Sequence, residues 1–325
     1  MNVTNSAPAR LVLSVLIATA IVGELSVRRG QSAERVALPT QKMKAGWPAK
    51  LAGSREEVFK KVGDTELKLY IFQPADHKPV DRRPAIVFFF GGGWNAGTAA
   101  QFEYQARYLA SRGMVAVCAD YRVRTRQKAK VIDCIADAKS AIRYIRSHAA
   151  RLGIDAEKVV AAGGSAGGHL AACTALLDEF DEANEDAVVS SKPNALVLFN
   201  PAVYLAPRAG ETPSEAETQA WLERAGAEPT KISPFHHIRK GLPPTLILIG
   251  TADGMFASNE EFTKKMIEAG NRCELEAYAD MPHGFFNVGK QKNHAMFRAT
   301  LERTDVFLAS LGYLSGPGKV ADFFE

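Results

Sequence analysis

A chain of 325 residues, 46% hydrophobic and 23% charged, has the composition of a globular protein, which excludes disorder and leaves room for one large α/β domain or two small ones. The formal net charge is +4, of which the first 33 residues carry +2 (Arg10, Arg28 and Arg29 against Glu24), so the remainder is too weakly basic to hold nucleic acid. The four cysteines, Cys118, Cys134, Cys173 and Cys273, show no CxxC or metal-type spacing and read as buried thiols, with a disulfide as the alternative.

The chain opens on a leader. Arg10 precedes "LVLSVLIATAIVG", residues 11–23, an apolar run with the length of a signal-peptide core and too short to span a membrane comfortably. Residues 1–33 are therefore expected to be a signal peptide, cleaved after Ala33, with an uncleaved N-terminal anchor as the competing reading. No cysteine follows the run, which argues against a lipoprotein anchor. The expected location is extracytoplasmic, periplasmic or secreted, with no stable membrane span once the leader is gone.

Residues 34–325 are expected to form one domain. Residues 56–73 predict two strands around a turn at Gly63-Asp64, and "PAIVFFF" at 84–90 predicts a strand buried on both faces, stopped by Gly91-Gly92-Gly93. A helix is predicted over 100–112 and a strand over 114–120. The basic run Arg122–Lys130 reads as a solvated loop or as a contact for an acidic substrate. Residues 131–151 place Ile132, Ile135, Ala138, Ile142 and Ile145 on one helical face, with Gly153 as the stop. "KVVAAG" follows as a strand, then a helix from Ser165 to about Asp178. Strands are predicted at 195–201, 244–250 and 273–279, and helices at 259–269 and 293–311. Residues 204–240, rich in Pro and Glu, break the alternation and read as a small insert over the carboxyl edge of the sheet. The pattern predicts an α/β fold with a mostly parallel central sheet and helices on both faces.

Gly163-Gly164-Ser165-Ala166-Gly167 matches the G-x-S-x-G nucleophile elbow, a strand-to-helix turn that pushes a serine hydroxyl outward between small neighbours. A phosphate-binding loop shares this topology, and Gly163 and Gly168 have its spacing. His169 and Leu170, however, stand where its Lys and Ser/Thr belong. A serine needs a base and a carboxylate, which on this topology follow it in the chain. Of seven histidines, His283 lies in "DMPHGFF", straight after a strand, with a hydrogen-bonded loop histidine as the bland alternative. Asp253, just past "PTLILIGTA", is the candidate carboxylate; Asp280 is the fallback, and Asp253 as a plain turn former the alternative. Gly92, Gly93 and Ala166 are expected to supply oxyanion amides, and Trp94 a wall of the substrate site. No metal or organic cofactor is called for.

With "FFFGGGW", "ADYR", "GGSAGGHLA", "PPTLILIGTADGM" and "MPHGFF" together, residues 84–290 resemble the α/β-hydrolase superfamily. The likeness lies with the esterase/lipase group that includes hormone-sensitive-lipase-like esterases and small acetyl and feruloyl esterases. The resemblance implies Ser165 as nucleophile, His283 as base and Asp253 as acid in two-step acyl transfer. Two departures stand out: Phe90 replaces the histidine usual before the glycines, and Gly164 replaces an acidic residue, which moves the chain toward the acetyl/feruloyl type. The expected partner is a small-molecule or carbohydrate ester, with acetylated polysaccharide leading and feruloyl ester behind. Two rivals are a prolyl-oligopeptidase-like peptidase, for which residues 34–83 are too short to supply a propeller, and a catalytically inactive binding scaffold.

Overall fold

The turn at Gly63-Asp64 closes a hairpin of β1 (Arg55–Val62) and β2 (Thr65–Phe72), with Gly63 at φ +55°. Its edge strand exposes Arg55, Glu56 and Lys61 but buries Lys60, while β2 turns apolar and buried toward its end. The computed structural model describes residues 35–39, 46–208 and 210–325, so the leader expected over residues 1–33 lies outside the described residues.

The apolar runs become the sheet interior: β3 (Arg83–Phe89) is buried from Ala85 onward. α1 (Glu103–Ser111) leads to β4 (Val115–Ala119), the short turn α2 (Arg124–Gln127) and the long α3 (Val131–Ser147). Then come β5 (Ile154–Gly164), α4 (Ala166–Leu176) and β6 (Ala195–Phe199). The remainder runs through α5 (Glu215–Ala225), β7 (Thr245–Gly250), α6 (Phe256–Glu268), β8 (Cys273–Tyr278), α7 (Ala295–Ser310) and the terminal turn α8 (Val320–Phe323). Every residue of β4, β6 and β7 is buried, as a sheet covered on both faces requires.

The eight strands run in the order β1-β2-β4-β3-β5-β6-β7-β8. The first two pairings are antiparallel and the rest parallel. The chain leaves β3 for β4 on one side and returns to β5 on the other. The crevice at their carboxyl ends is thus a topological switch point, where open α/β sheets bind ligands.

Element boundaries differ from expectation where tertiary bonds decide them. α3 stops at Ser147, and the chain turns until Gly153, at φ +63°. α6 begins three residues earlier than its periodicity predicts, because Asp253 organises the turn before it: its carbonyl accepts from Phe256 N at 2.9 Å and its Oδ1 from Met255 N at 3.0 Å. On α3, Ile135, Ala138, Ile142 and Ile145 are fully buried, whereas Ile132 turns toward the insert, next to Gly226. All four cysteines are buried and unpaired. Among the described residues no helix is long and apolar enough to cross a membrane.

α4 is apolar on all sides and every one of its residues is buried, so it lacks an amphipathic stripe. It reaches the sheet through glycines. A Cβ on Gly167 would stand 2.0 Å from the Phe89 carbonyl oxygen, and one on Gly163 2.4 Å from that of Gly167. Gly167→Ala is therefore expected to destabilise the protein by at least about 1–3 kcal/mol, seen as a lower Tm. Gly46→Ala, where nothing lies within 4 Å of the added carbon, is the control expected to stay within about 0.5 kcal/mol.

Candidate active site

The turn between β5 and α4 holds Ser165 at φ +55°, ψ −119°, a region that L-residues rarely occupy and that costs about 1–3 kcal/mol. The Ser165 amide donates to Phe199 O on β6 at 2.9 Å, and its carbonyl accepts from His169 N, so the backbone is fixed on both sides. The side chain is left facing a cleft.

Into that cleft comes His283 from the loop after β8. Its Nε2 lies 3.0 Å from Ser165 Oγ, and its Nδ1 lies 2.7 Å from Asp253 Oδ2. The Asp253 side chain is 2% exposed, while that of His283 is 46% exposed. A carboxylate acceptor at Nδ1 fixes the imidazole with its proton there and its lone pair on Nε2 toward the serine. Asp280, the fallback, is exposed; its amide donates to Thr251 Oγ1 at 2.8 Å, and the histidine's Nδ1 is already taken by Asp253.

The glycine loop after β3 forms the facing wall. A Cβ on Gly91 would lie 2.8 Å from Gly164 O and 3.3 Å from Ser165 Cβ, so the loop rests directly against the serine turn. Gly91 N donates to Gln101 Oε1 at 2.5 Å, whereas among the described residues the amides of Gly92 and Gly93 have no protein acceptor. Gly92 sits at φ +133°, with a would-be Cβ 2.1 Å from Ala96 O, so no other residue fits there. Ala166 is the first residue of α4, and its amide has no acceptor within its own helix. Three unobstructed donors thus border one serine.

Both departures noted in the sequence have packing reasons. Phe90 is buried and stacks on Tyr121 with ring centroids 4.0 Å apart, and Tyr121 Oη donates back to Phe90 O at 2.7 Å. This clasp holds the root of the glycine loop. A Cβ on Gly164 would meet Phe286 Cζ at 2.5 Å, so an aromatic ring occupies the space that a side chain beside the serine would need.

Trp94 is not a wall of the cleft. It is 8% exposed, and its Nε1 donates to His169 Nδ1 at 3.2 Å. The His169 Nε2–H donates to Ile232 O at 2.7 Å. An indole only donates and a carbonyl only accepts, which defines this tautomer. The basic run is likewise neither simply solvated nor free for substrate. Arg122 pairs with the buried Asp137 at 2.8 Å. Arg124 N donates to Trp94 O, Thr125 to Asn95 O, and Arg126 Nη1 to Gly97 O at 2.8 Å, so the run braces the glycine loop. Only Arg126 of this run reaches the cleft, while Lys128 and Lys130 are exposed.

The cleft measures about 810 Å³ and is lined by Ser165, His283, the three glycines, Trp47, Gln101 and Phe286 among others. No described residue of the insert over 204–240 lines it. The insert instead stands behind the glycine loop, where Arg224 Nη2 donates to Gly93 O at 3.0 Å.

Several participants lie outside the motifs. Gln101 Nε2 donates to Asn287 Oδ1 at 2.8 Å, and Asn287 Nδ2 donates to Gly284 O at 2.8 Å, which links the glycine loop to the histidine loop. The buried Asn200, ending β6, accepts from Gly284 N at 3.2 Å. Only position at a strand's carboxyl end could have flagged Asn200; nothing local marks Gln101. Among the described residues no group of His, Cys, Asp or Glu side chains is arranged to hold a metal ion.

Comparison with known proteins places this geometry. The family model described as BD-FAE matches residues 69–265. Thermogutta terrifontis esterase 2 with butyrate bound superposes with a TM-score of 0.81 at 49% identity, over 85% of this chain and 100% of that one. Carboxylesterase NlhH of Mycobacterium tuberculosis is 25% identical over 246 residues, 69% of this chain and 73% of its own. The probable isoprenylcysteine alpha-carbonyl methylesterase ICMEL1 of Arabidopsis thaliana is 26% identical over 217 residues, which are 62% of this chain and 45% of that protein. The chain thus spans less than half of that relative and 29% of its rice counterpart.

Burial holds the His169 pKa down at about 4, against an ordinary 6.5, with the bond to Ile232 O only partly opposing it. A histidine whose folded value is depressed contributes stability above its unfolded pKa and loses it as pH falls toward the folded value. The His169 contribution to the wild-type Tm is therefore expected to fall between about pH 6.5 and pH 4. The decline should be shallower in His169→Gln, measured by thermal melts across that range.

Proposed function

The chain belongs to the BD-FAE family of α/β-hydrolase esterases, and from that premise we propose that it is a serine carboxylesterase that removes short acyl groups, with acetylated carbohydrate as its substrate class. The observation that carries this reading is the unbroken line from Asp253 through His283 to Ser165, with bonds of 2.7 and 3.0 Å ending at the cleft.

In this mechanism Ser165 Oγ attacks the ester carbonyl as its proton passes to His283 Nε2. The oxyanion takes hydrogen bonds from the amides of Gly92, Gly93 and Ala166, and the positive end of α4 adds to them. Collapse expels the alcohol, which receives the proton from Nε2. Water, deprotonated by the same nitrogen, then attacks the acyl-serine and releases the acid. Asp253 holds the ring and stabilises the imidazolium while the proton resides there.

Three things support the finer reading. Thermogutta terrifontis esterase 2 has been seen with propionate and with butyrate bound, which favours a short acyl group here. The same relative is phosphorylated by paraoxon, in keeping with an activated nucleophile at Ser165. The insert leaves the cleft uncovered, which suits a bulky, hydrated alcohol half better than a long lipid chain. Arg10 and the apolar run of residues 11–23 support an extracytoplasmic location.

Ser165→Ala is expected to abolish hydrolysis of p-nitrophenyl acetate without lowering Tm. Paraoxon should add one diethylphosphoryl group to the wild type, found by mass spectrometry on the Ser165 peptide, and none to that variant. Retained turnover in Ser165→Ala, or labelling elsewhere, overturns the assignment.

Asp253→Asn should reduce kcat by about 10⁴-fold through the wrong imidazole tautomer, against less than about threefold for Asp280→Asn. Steady-state kinetics on p-nitrophenyl acetate separates the two, and the reverse ranking moves the acid role to Asp280. Across acetate, butyrate and octanoate esters, kcat/KM should fall steeply with chain length. Comparison of acetylated xylan with methyl ferulate decides between carbohydrate and feruloyl substrates.

A further inference from the structure

Trp47 lines the cleft that holds Ser165 and His283, and it is 40% exposed there. An indole left that open is usually mobile; this one is fastened. Its Nε1 donates to Asp120 Oδ2 at 2.8 Å, and Asp120 is 3% exposed. The guanidinium of Arg126 lies over the ring, 5.1 Å from its centroid, while Arg126 Nη1 is anchored on Gly97 O of the glycine loop. Asp120 is itself fastened, since its Oδ1 accepts from Tyr121 N at 3.0 Å.

Fastening the ring this way has an electrostatic cost. Burial pushes the Asp120 carboxyl up to about 6, even though Trp47, Arg126 and the Tyr121 amide all favour its charged form. A buried carboxylate that secures an exposed indole adds little to the core. What it achieves is a rigid ring on the cleft wall, of the kind that binds a flat partner with little loss of side-chain freedom.

We infer that Trp47 is a stacking platform for a ring in the alcohol half of the ester. This rests on the reading of Ser165 as nucleophile and of the acyl group as short, since a short acyl group carries no ring of its own. The chemistry recognised is a flat apolar face, offered equally by the C–H face of a pyranose or by an aryl group.

The test compares kcat/KM of wild type, Trp47→Ala and Trp47→Phe on three acetates: vinyl acetate (no ring), phenyl acetate and acetylated xylotriose. For Trp47→Ala the ratio of a ring-bearing ester to vinyl acetate should fall about threefold to tenfold, mostly through KM, while Trp47→Phe restores most of it. A fall confined to the saccharide identifies a sugar ring, and one confined to phenyl acetate an aromatic alcohol. An unchanged ratio, including an equal loss on all three esters, overturns the platform and leaves Trp47 a brace of the glycine loop.

Binding gives a second readout that does not depend on turnover. In Ser165→Ala, adding Trp47→Ala should weaken the Kd for acetylated xylotriose or phenyl acetate by a similar factor in calorimetry, and equal Kd values for both ligands overturn the proposal. Should Ser165→Ala retain wild-type turnover, the assignment of Ser165 as nucleophile fails, while the kcat/KM ratios across the three acetates still decide the platform.

Discussion

Everything in this site depends on how closely one helix approaches one strand. The start of α4 packs against the end of β3 so tightly that a single methyl group at Gly167 would stand 2.0 Å from a carbonyl oxygen. That approach forces the turn at Ser165 into its unfavourable backbone conformation, and burial of the whole of α4 between sheet and insert offsets the cost. It also sets two chemical facts at once. The hydroxyl has nowhere to go except the cleft, and the first amide of α4 is carried to the side where the glycine loop ends.

The same proximity creates a problem that the rest of the fold solves. A loop that offers bare amides to an oxyanion carries no side chains with which to anchor itself. Here the anchoring comes from outside, at the Gly91 amide and at the carbonyls of Phe90, Gly93, Trp94, Asn95 and Gly97. Gln101 takes the Gly91 amide, Tyr121 the Phe90 carbonyl, Arg224 the Gly93 carbonyl and Arg126 that of Gly97. His169 holds the Trp94 indole from within α4 itself. The amides of Gly92 and Gly93 lie among these anchored groups without a protein acceptor among the described residues, and preorganisation of this kind is what the proposed oxyanion site requires.

This division explains what could be read from the sequence. Apolar runs at 84–90, 195–201 and 244–250 are buried on both faces and announce themselves without reference to partners. The elbow around Ser165 and the positions of Asp253 and His283 follow from strand ends, which are local features, so these three residues could be placed at one edge before any geometry was known. The braces are not local. Gln101 and Asn287 are 186 residues apart in sequence, and Arg224 sits 131 residues from the carbonyl it holds. Trp94, read as a wall because it follows the glycines, turns inward because a buried, neutral imidazole waits there for its N–H. The basic run was legible as charge but not as a brace, since half of its contribution comes from backbone amides.

The insert's position bears on what the cleft admits. Residues 204–240 were expected above the sheet edge, where a cover would lie, yet they reach the site through one guanidinium at its back and one carbonyl on His169. A segment used in this way rigidifies the loop and leaves the mouth open. The walls at the mouth are then supplied by Trp47, tied to Asp120, and by the loop that follows His283, tied through Asn287 and seated on the core through Phe286. An open mouth with fixed walls selects by what it can touch along one side of a ligand, and it places little limit on how far the ligand extends into water. Such openness is in keeping with the proposed removal of a small acyl group from a large, hydrated partner.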